Sequence, residues 1–128
     1  MNKTVYFVGM HHKPGMKALD SKTKSGKILD EIISSIKSNC VKTNLCETEY
    51  QPIDDEEIGK VAQEWYSKYE PKEKDVIVLL GMWVAENFDR RHENTIELTH
   101  PASFKVSGNK SGYISDAIEK INNLCLKP

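Results

Sequence analysis

The segment Asp75-Val76-Ile77-Val78-Leu79-Leu80-Gly81 constrains this chain more than any other. Five successive apolar residues between an acid and a glycine are too few for a buried helix and lack the alternation of a strand with one wet face. Such a run fits a strand covered on both sides, as in a parallel sheet flanked by helices. The rest of the chain alternates accordingly. Residues 3–9 predict a short buried strand, and residues 25–38 a helix with Ile28, Leu29, Ile32, Ile33 and Ile36 on one face. Residues 40–46 predict a second strand. Asp54 to Glu57 has the Asp-x-x-Glu form of a helix start, and Ile58, Val61, Ala62, Trp65, Tyr66 and Tyr69 make that helix's apolar face before Pro71. A short helix after Gly81 turns Trp83, Val84 and Phe88 inward. Asn94–Leu98 predicts a fourth strand, and Ser115–Leu126 a last helix with Ile118, Ile121 and Leu124 or Cys125 inward.

Strands alternating with helices imply right-handed βαβ units. The expected fold is α/β: a three-layer α/β/α sandwich on a four-stranded, mainly parallel sheet of order 2-1-3-4. That order puts a topological switch point between the first and third strands, where ligands bind beyond the strands' carboxyl ends. Two long loops, 10–24 and 100–114, are expected there, and loops of that length are usually functional or disordered.

At 128 residues the chain is read as a single domain, 1–128, able to bury a core without staples. With 38% hydrophobic and 29% charged residues it is not a disordered chain. No apolar stretch spans a bilayer, and Met-Asn-Lys leads straight into a strand, so a cytoplasmic protein is expected, nucleoid-associated, or nuclear in a eukaryote. Cys40, Cys46 and Cys125 have no CxxC spacing. They read as reduced thiols, with Cys40 and Cys125 packed as small hydrophobes, and no metal or other cofactor is expected. Net charge is −1, but unevenly spread. Residues 1–27 carry six lysines against one aspartate, a net of +5, and residues 47–75 carry ten acids against four lysines, a net of −6. A basic rim around one cleft is compatible with that asymmetry; so is a solvated lysine-rich loop.

Polar segments with glycine or proline follow two strands. Gly9-Met10-His11-His12-Lys13-Pro14-Gly15 follows Thr4–Val8, and Thr99-His100-Pro101-Ala102-Ser103 follows Thr95–Leu98. Between them Lys42-Thr43-Asn44-Leu45 places an amide at a strand end. Together with Ser25-Gly26-Lys27-Ile28-Leu29-Asp30 and Val78-Leu79-Leu80-Gly81-Met82-Trp83-Val84-Ala85, these five segments, in this order, resemble the motifs of the uracil-DNA glycosylase superfamily. The likeness covers most of the chain and suggests a short, minimal-core member. It departs in three places. Two extra residues separate Gly9 from Pro14; His11 stands where other classes have a carboxylate or Asn; and Asp20-Ser21-Lys22-Thr23 has no aromatic where many members stack one on the base.

The resemblance implies a monofunctional hydrolase, probing DNA by base flipping and removing uracil or another altered base in a base-excision type of DNA repair. The expected partner is DNA carrying a damaged or modified base, and the protein itself a monomer. His100 would donate a hydrogen bond to the base as negative charge builds on it. Asn44, with one acceptor and two donors on its amide, would read the base beside Gly9 and Met10, or simply cap a turn. The water would be held by His11 or His12, by backbone carbonyls of residues 9–15, or by Asp20 on the same loop. DNA contacts are expected from Lys13, Gly15, Lys24, Ser25, Gly26, Ser103 and Lys105, with Phe104 or Val106 as an apolar wedge. A non-catalytic relative binding DNA, a nucleobase or a nucleotide through the same pocket is the alternative.

Overall fold

The computed structural model describes residues 3–12, 16–49 and 55–126. Four strands, β1 (Thr4–His12), β2 (Asn39–Glu49), β3 (Val76–Leu80) and β4 (Thr95–Leu98), form one sheet of order β2-β1-β3-β4. Every pairing is parallel: Val5 lies opposite both Cys40 and Val76, and Ile77 opposite Thr95. Among the described residues five helices accompany it: α1 (Lys24–Ile33), α2 (Asp55–Tyr69), α3 (Met82–Asn87), α4 (Phe104–Ser107) and α5 (Lys110–Cys125).

The period-two geometry of strands divides the core in two. Val5, Phe7, Val76, Val78 and Leu80 point to one face and pack with Ile28, Leu29 and Ile32 of α1 and Ala117 and Ile121 of α5. Tyr6, Val8, Ile77 and Leu79 point to the other and pack with Ala62 and Trp65 of α2, Val84 of α3, and Phe88. All five residues of β3 are buried because each faces one of these cores. Each such side chain contributes about 1.5–3 kcal/mol of burial. Cys40 and Cys125 pack at the margin of the α1/α5 core. Buried polar groups are paired. Thr43 Oγ1 donates to Phe7 O (2.9 Å) and accepts from Trp65 Nε1 (2.9 Å). The Asp75 carboxylate accepts from the N–H groups of Thr4 and Lys72. His92 uses its ring to hold the backbone carbonyl of Asp75.

Four boundaries differ from expectation. β2 runs on to Glu49, not residue 46, because it keeps pairing with β1, so Asn44 stands inside the strand and not at its end. α1 stops at Ile33, not residue 38: Ser34 Oγ donates to Glu31 O, and the N–H groups of Ser35 and Ile36 reach carbonyls three residues back. Serine side chains competing for backbone groups end helices in this way. β1 runs on to His12, with His11 opposite Cys46, so Gly9 to His12 are strand and not turn. The expected loop 100–114 is largely helical, since α4 occupies residues 104–107 and α5 begins at Lys110. Val106 is 2% exposed within the α1/α5 core, which removes it as a wedge into DNA. The start of the second helix at Asp54 lies outside the described residues; α2 is seen from Asp55.

Candidate functional site

Parallel pairing sets Gly9 of β1 directly beside Asn44 of β2. A Cβ at position 9 would lie 2.6 Å from Asn44 Oδ1, closer than packed atoms approach. The missing side chain of Gly9 is what lets the Asn44 amide lie across β1. Asn44 is 3% exposed, and no described buried side-chain nitrogen or oxygen lacks a hydrogen-bond partner.

The segment after β4 turns tightly. Ser103 N–H donates to His100 O (2.9 Å), and Ala102 N–H donates to His100 Nδ1 (3.1 Å). Nδ1 is therefore an acceptor, and the neutral imidazole carries its proton on Nε2. Tyr113 Oη donates to Thr99 O (2.6 Å), tying this turn to α5. Burial pushes the Tyr113 hydroxyl well above the ordinary tyrosine range, so it stays a donor at neutral pH. From the other side Gly81, at φ 94° and ψ 162°, brings the end of β3 against the imidazole. A Cβ there would lie 3.2 Å from His100 Cβ. That conformation belongs essentially to glycine.

The third wall is the segment leading into α1. Thr23 Oγ1 donates to Asp20 O (2.7 Å) and accepts from Gly26 N–H (3.0 Å), capping the helix. Gly26 is required by close approach, because a Cβ there would lie 1.9 Å from Asp20 O. The Asp20 carboxylate accepts from the N–H groups of Lys22 (2.9 Å) and Lys17 (3.2 Å). Those two bonds hold its carboxyl below the usual range. Leu19, beside it, takes a left-handed backbone (φ 49°). A non-glycine residue there carries strain of about 1–2 kcal/mol, and such strain clusters at functional sites.

These walls enclose a cavity of about 200 Å³ lined by Met10, Leu19, Asp20, Ser25, Asn44 and His100, among others. It lies just past the carboxyl end of β4 and beside the carboxyl-terminal halves of β1 and β2, on the side of the sheet where the 2-1-3-4 order places a switch point. Its size suits one small planar ring rather than a drug-sized ligand. The chain matches no family model, no curated protein and no solved structure with which it was compared.

Five residues expected at a site thus line one cavity: Met10, Asp20, Ser25, Asn44 and His100. Gly9 acts from below by making room for Asn44. Two expected phosphate donors are already committed, since Gly26 N–H bonds Thr23 and Ser103 N–H bonds His100 O. Lys24 Nζ donates to Ser107 Oγ, joining α1 to α4, and Lys105 is exposed on α4. Lys13 and Gly15 lie outside the described residues, as do the side chains of His11, His12 and Phe104. Among the described residues no group of three or more His, Cys, Asp or Glu side chains is disposed to hold a metal ion, and no helix is long and apolar enough to cross a membrane. Sequence reasoning passed over Leu19, Thr23 and Tyr113. Only Thr23 carried a signal, a capping residue just ahead of an apolar helix.

Proposed function

We propose that this protein is a monofunctional DNA glycosylase of the uracil-DNA glycosylase type, hydrolysing the bond between deoxyribose and uracil or another deaminated base. One observation carries the reading: Asn44 and His100, from opposite ends of the sheet's order, line the same ring-sized cavity. The extruded base lies in that cavity with its polar edge on the Asn44 amide. One carbonyl accepts from the amide nitrogen, and the neighbouring ring N–H donates to the amide oxygen. A base with the opposite pattern leaves a buried amide mispaired, at a cost of about 1–3 kcal/mol.

As the glycosidic bond lengthens, its electron pair moves onto the base and positive charge grows on the sugar. His100, held as the Nε2–H tautomer by Ala102 N–H, donates to a base carbonyl where the negative charge collects. A water oxygen then bonds to the sugar carbon, loses its proton to solvent or to a group at the end of β1, and leaves an abasic site. His11, His12 and the backbone carbonyls there are the candidates for holding that water. Asp20 is not given this step. Its carboxylate already serves two N–H groups, and an acid held low is a poor proton acceptor. The same feature favours the second reading, a relative that binds a base without cutting. The enzyme works as a monomer where its DNA is, in the cytoplasm or nucleoid, or in a nucleus.

The test is cleavage of labelled oligonucleotides carrying one uracil, hypoxanthine, xanthine or 5-hydroxymethyluracil, in single and double strands, followed by alkali. Excision of at least one base is expected. His100→Ala should lower its rate about 100-fold or more, and Asn44→Ala about 10- to 100-fold, both variants remaining folded. No abasic sites on any substrate, with measurable affinity for one of them, would replace the enzyme by the binder.

A further inference from the structure

His100 also lines a second and larger cavity, of about 700 Å³, bounded by α3, the open edge of β4, α4 and α5. Six charged side chains line it, and four of them neutralise one another. Arg90 pairs with Glu97 (2.7 Å), and Lys120 with Asp116 (3.2 Å). Glu86 and Lys105 make no ion pair with any described residue. Met82 stands at the rim with 76% of its surface exposed, one of two large hydrophobic side chains so exposed among the described residues. Met82 and Glu86 are four residues apart on α3, so they share one helix face. The cavity therefore offers an exposed thioether, a carboxylate acceptor beside it and an ammonium group from α4, next to the imidazole that also lines the smaller cavity.

We propose that this cavity is a subsite for the nucleotide adjoining the excised one, and that Met82 and Glu86 read its base. This rests on the glycosylase reading above and extends it to sequence context. The thioether of Met82 packs on the face of the neighbouring base, as methionine sulfur does on aromatic rings. Glu86 accepts a hydrogen bond from an exocyclic amine, as carboxylates do from cytosine N4. Lys105 meets the phosphate between the two nucleotides. Cytosine, adenine and guanine present such an amine and thymine does not, so the subsite favours C, A or G over T beside the lesion. Because the paired charges leave the cavity nearly neutral, it suits one splayed nucleotide better than the dense phosphates of a duplex.

The experiment uses the full chain and single-stranded oligonucleotides with one uracil, all four bases being placed in turn on its 5′ and 3′ sides. kcat/KM is measured by alkaline cleavage. The expected result is a spread of about tenfold on one side only, C, A or G over T, collapsing to about twofold or less in Met82→Ala and in Glu86→Gln. Both residues are exposed, so melting temperatures near that of the unaltered protein should accompany the collapse. Excision indifferent to both neighbours, or a spread that survives both substitutions, overturns the subsite and leaves the glycosylase standing. Absence of excision from every oligonucleotide overturns both.

Discussion

A methyl group at position 9 would meet two atoms that form the candidate site, Asn44 Oδ1 at 2.6 Å and Leu19 Cδ2 at 3.0 Å. Leu19 is the end of a flexible side chain, but it sits on a left-handed backbone already short of alternatives. The Asn44 amide is the group that must move. Gly9→Ala should therefore act on recognition more than on the fold. Excision of uracil should fall at least about tenfold while overpacking costs about 1–3 kcal/mol. Urea unfolding and kcat/KM on the same preparation separate the two effects. Lost stability with unchanged excision would remove the Asn44 amide from base recognition. The effect is specific to the register, since Gly9 and Asn44 meet only because β1 and β2 pair as they do.

At the scale of elements, the site depends on how the segment before α1 is hung. Thr23 bonds Asp20 O and caps Gly26 N–H with one hydroxyl. Thr23→Ala should cost about 1 kcal/mol, the usual value of a lost cap. It should also loosen the Asp20 wall of the cavity, raising KM more than it lowers kcat, and Thr23→Ser should restore both. Equal losses in Thr23→Ser and Thr23→Ala would place the methyl group, not the hydroxyl, in that role. The same elements show what was legible beforehand. β3 could be read because each of its five residues faces a core, and unbroken burial leaves an unbroken apolar run. That Asn44 and His100 share a cavity was legible in part: His100 follows the end of β4, where ligands bind in such a sheet, whereas Asn44, expected at a strand end, lies inside β2 and reaches the cavity because Gly9 leaves it room. The extension of β1 could not, because Met10-His11-His12 has no apolar alternation and is strand through its pairing with β2. α4 could not either: it is four residues long, and among its described side chains only Val106 is buried, while Gly108 and Gly112 read as loop. The bonds from Lys17 and Lys22 N–H to Asp20 follow the path of the backbone, which no local pattern announces.

For the molecule as a whole, titration and charge set two further expectations. Burial, then the nearby Cys125, pushes the Cys40 thiol up to about 11, and burial also raises the hydroxyls of Tyr6, Tyr66 and Tyr113. Raised values favour the protonated native state, so their stabilisation is intact below the unfolded values and is lost as pH climbs through the folded ones. Stability should fall from about pH 9 upward. Cys40→Ala should lessen the fall between about pH 9 and 10, before the tyrosines titrate, leaving the share that burial of the Cys46 thiol contributes; an unchanged urea midpoint profile there would contradict it. Asp30, held low by the hydrogen bond from Lys42, and Asp20 act in the opposite sense, adding a decline only below about pH 4. The charge pattern bears on DNA itself. Lys42, Lys110 and Lys120 are occupied by Asp30, Glu31 and Asp116, and the acidic α2 covers the face opposite α1. Outside ion pairs, the cations lining the two cavities are Lys17 and Lys105, and Lys24, next to Ser25 in the chain, adds a third ammonium on Ser107. About three phosphate contacts on a single strand imply a slope of about −2 for log affinity against log salt. It is measured by fluorescence anisotropy with His100→Ala, whose excision should be slow enough for binding to be read first, and Lys105→Ala should make the slope shallower by a little under one. A slope beyond about −5 would demand a continuous basic face that this charge distribution lacks. A slope near zero would mean that no phosphate is held, and the proposal that the ring in the small cavity arrives on DNA would fail with it.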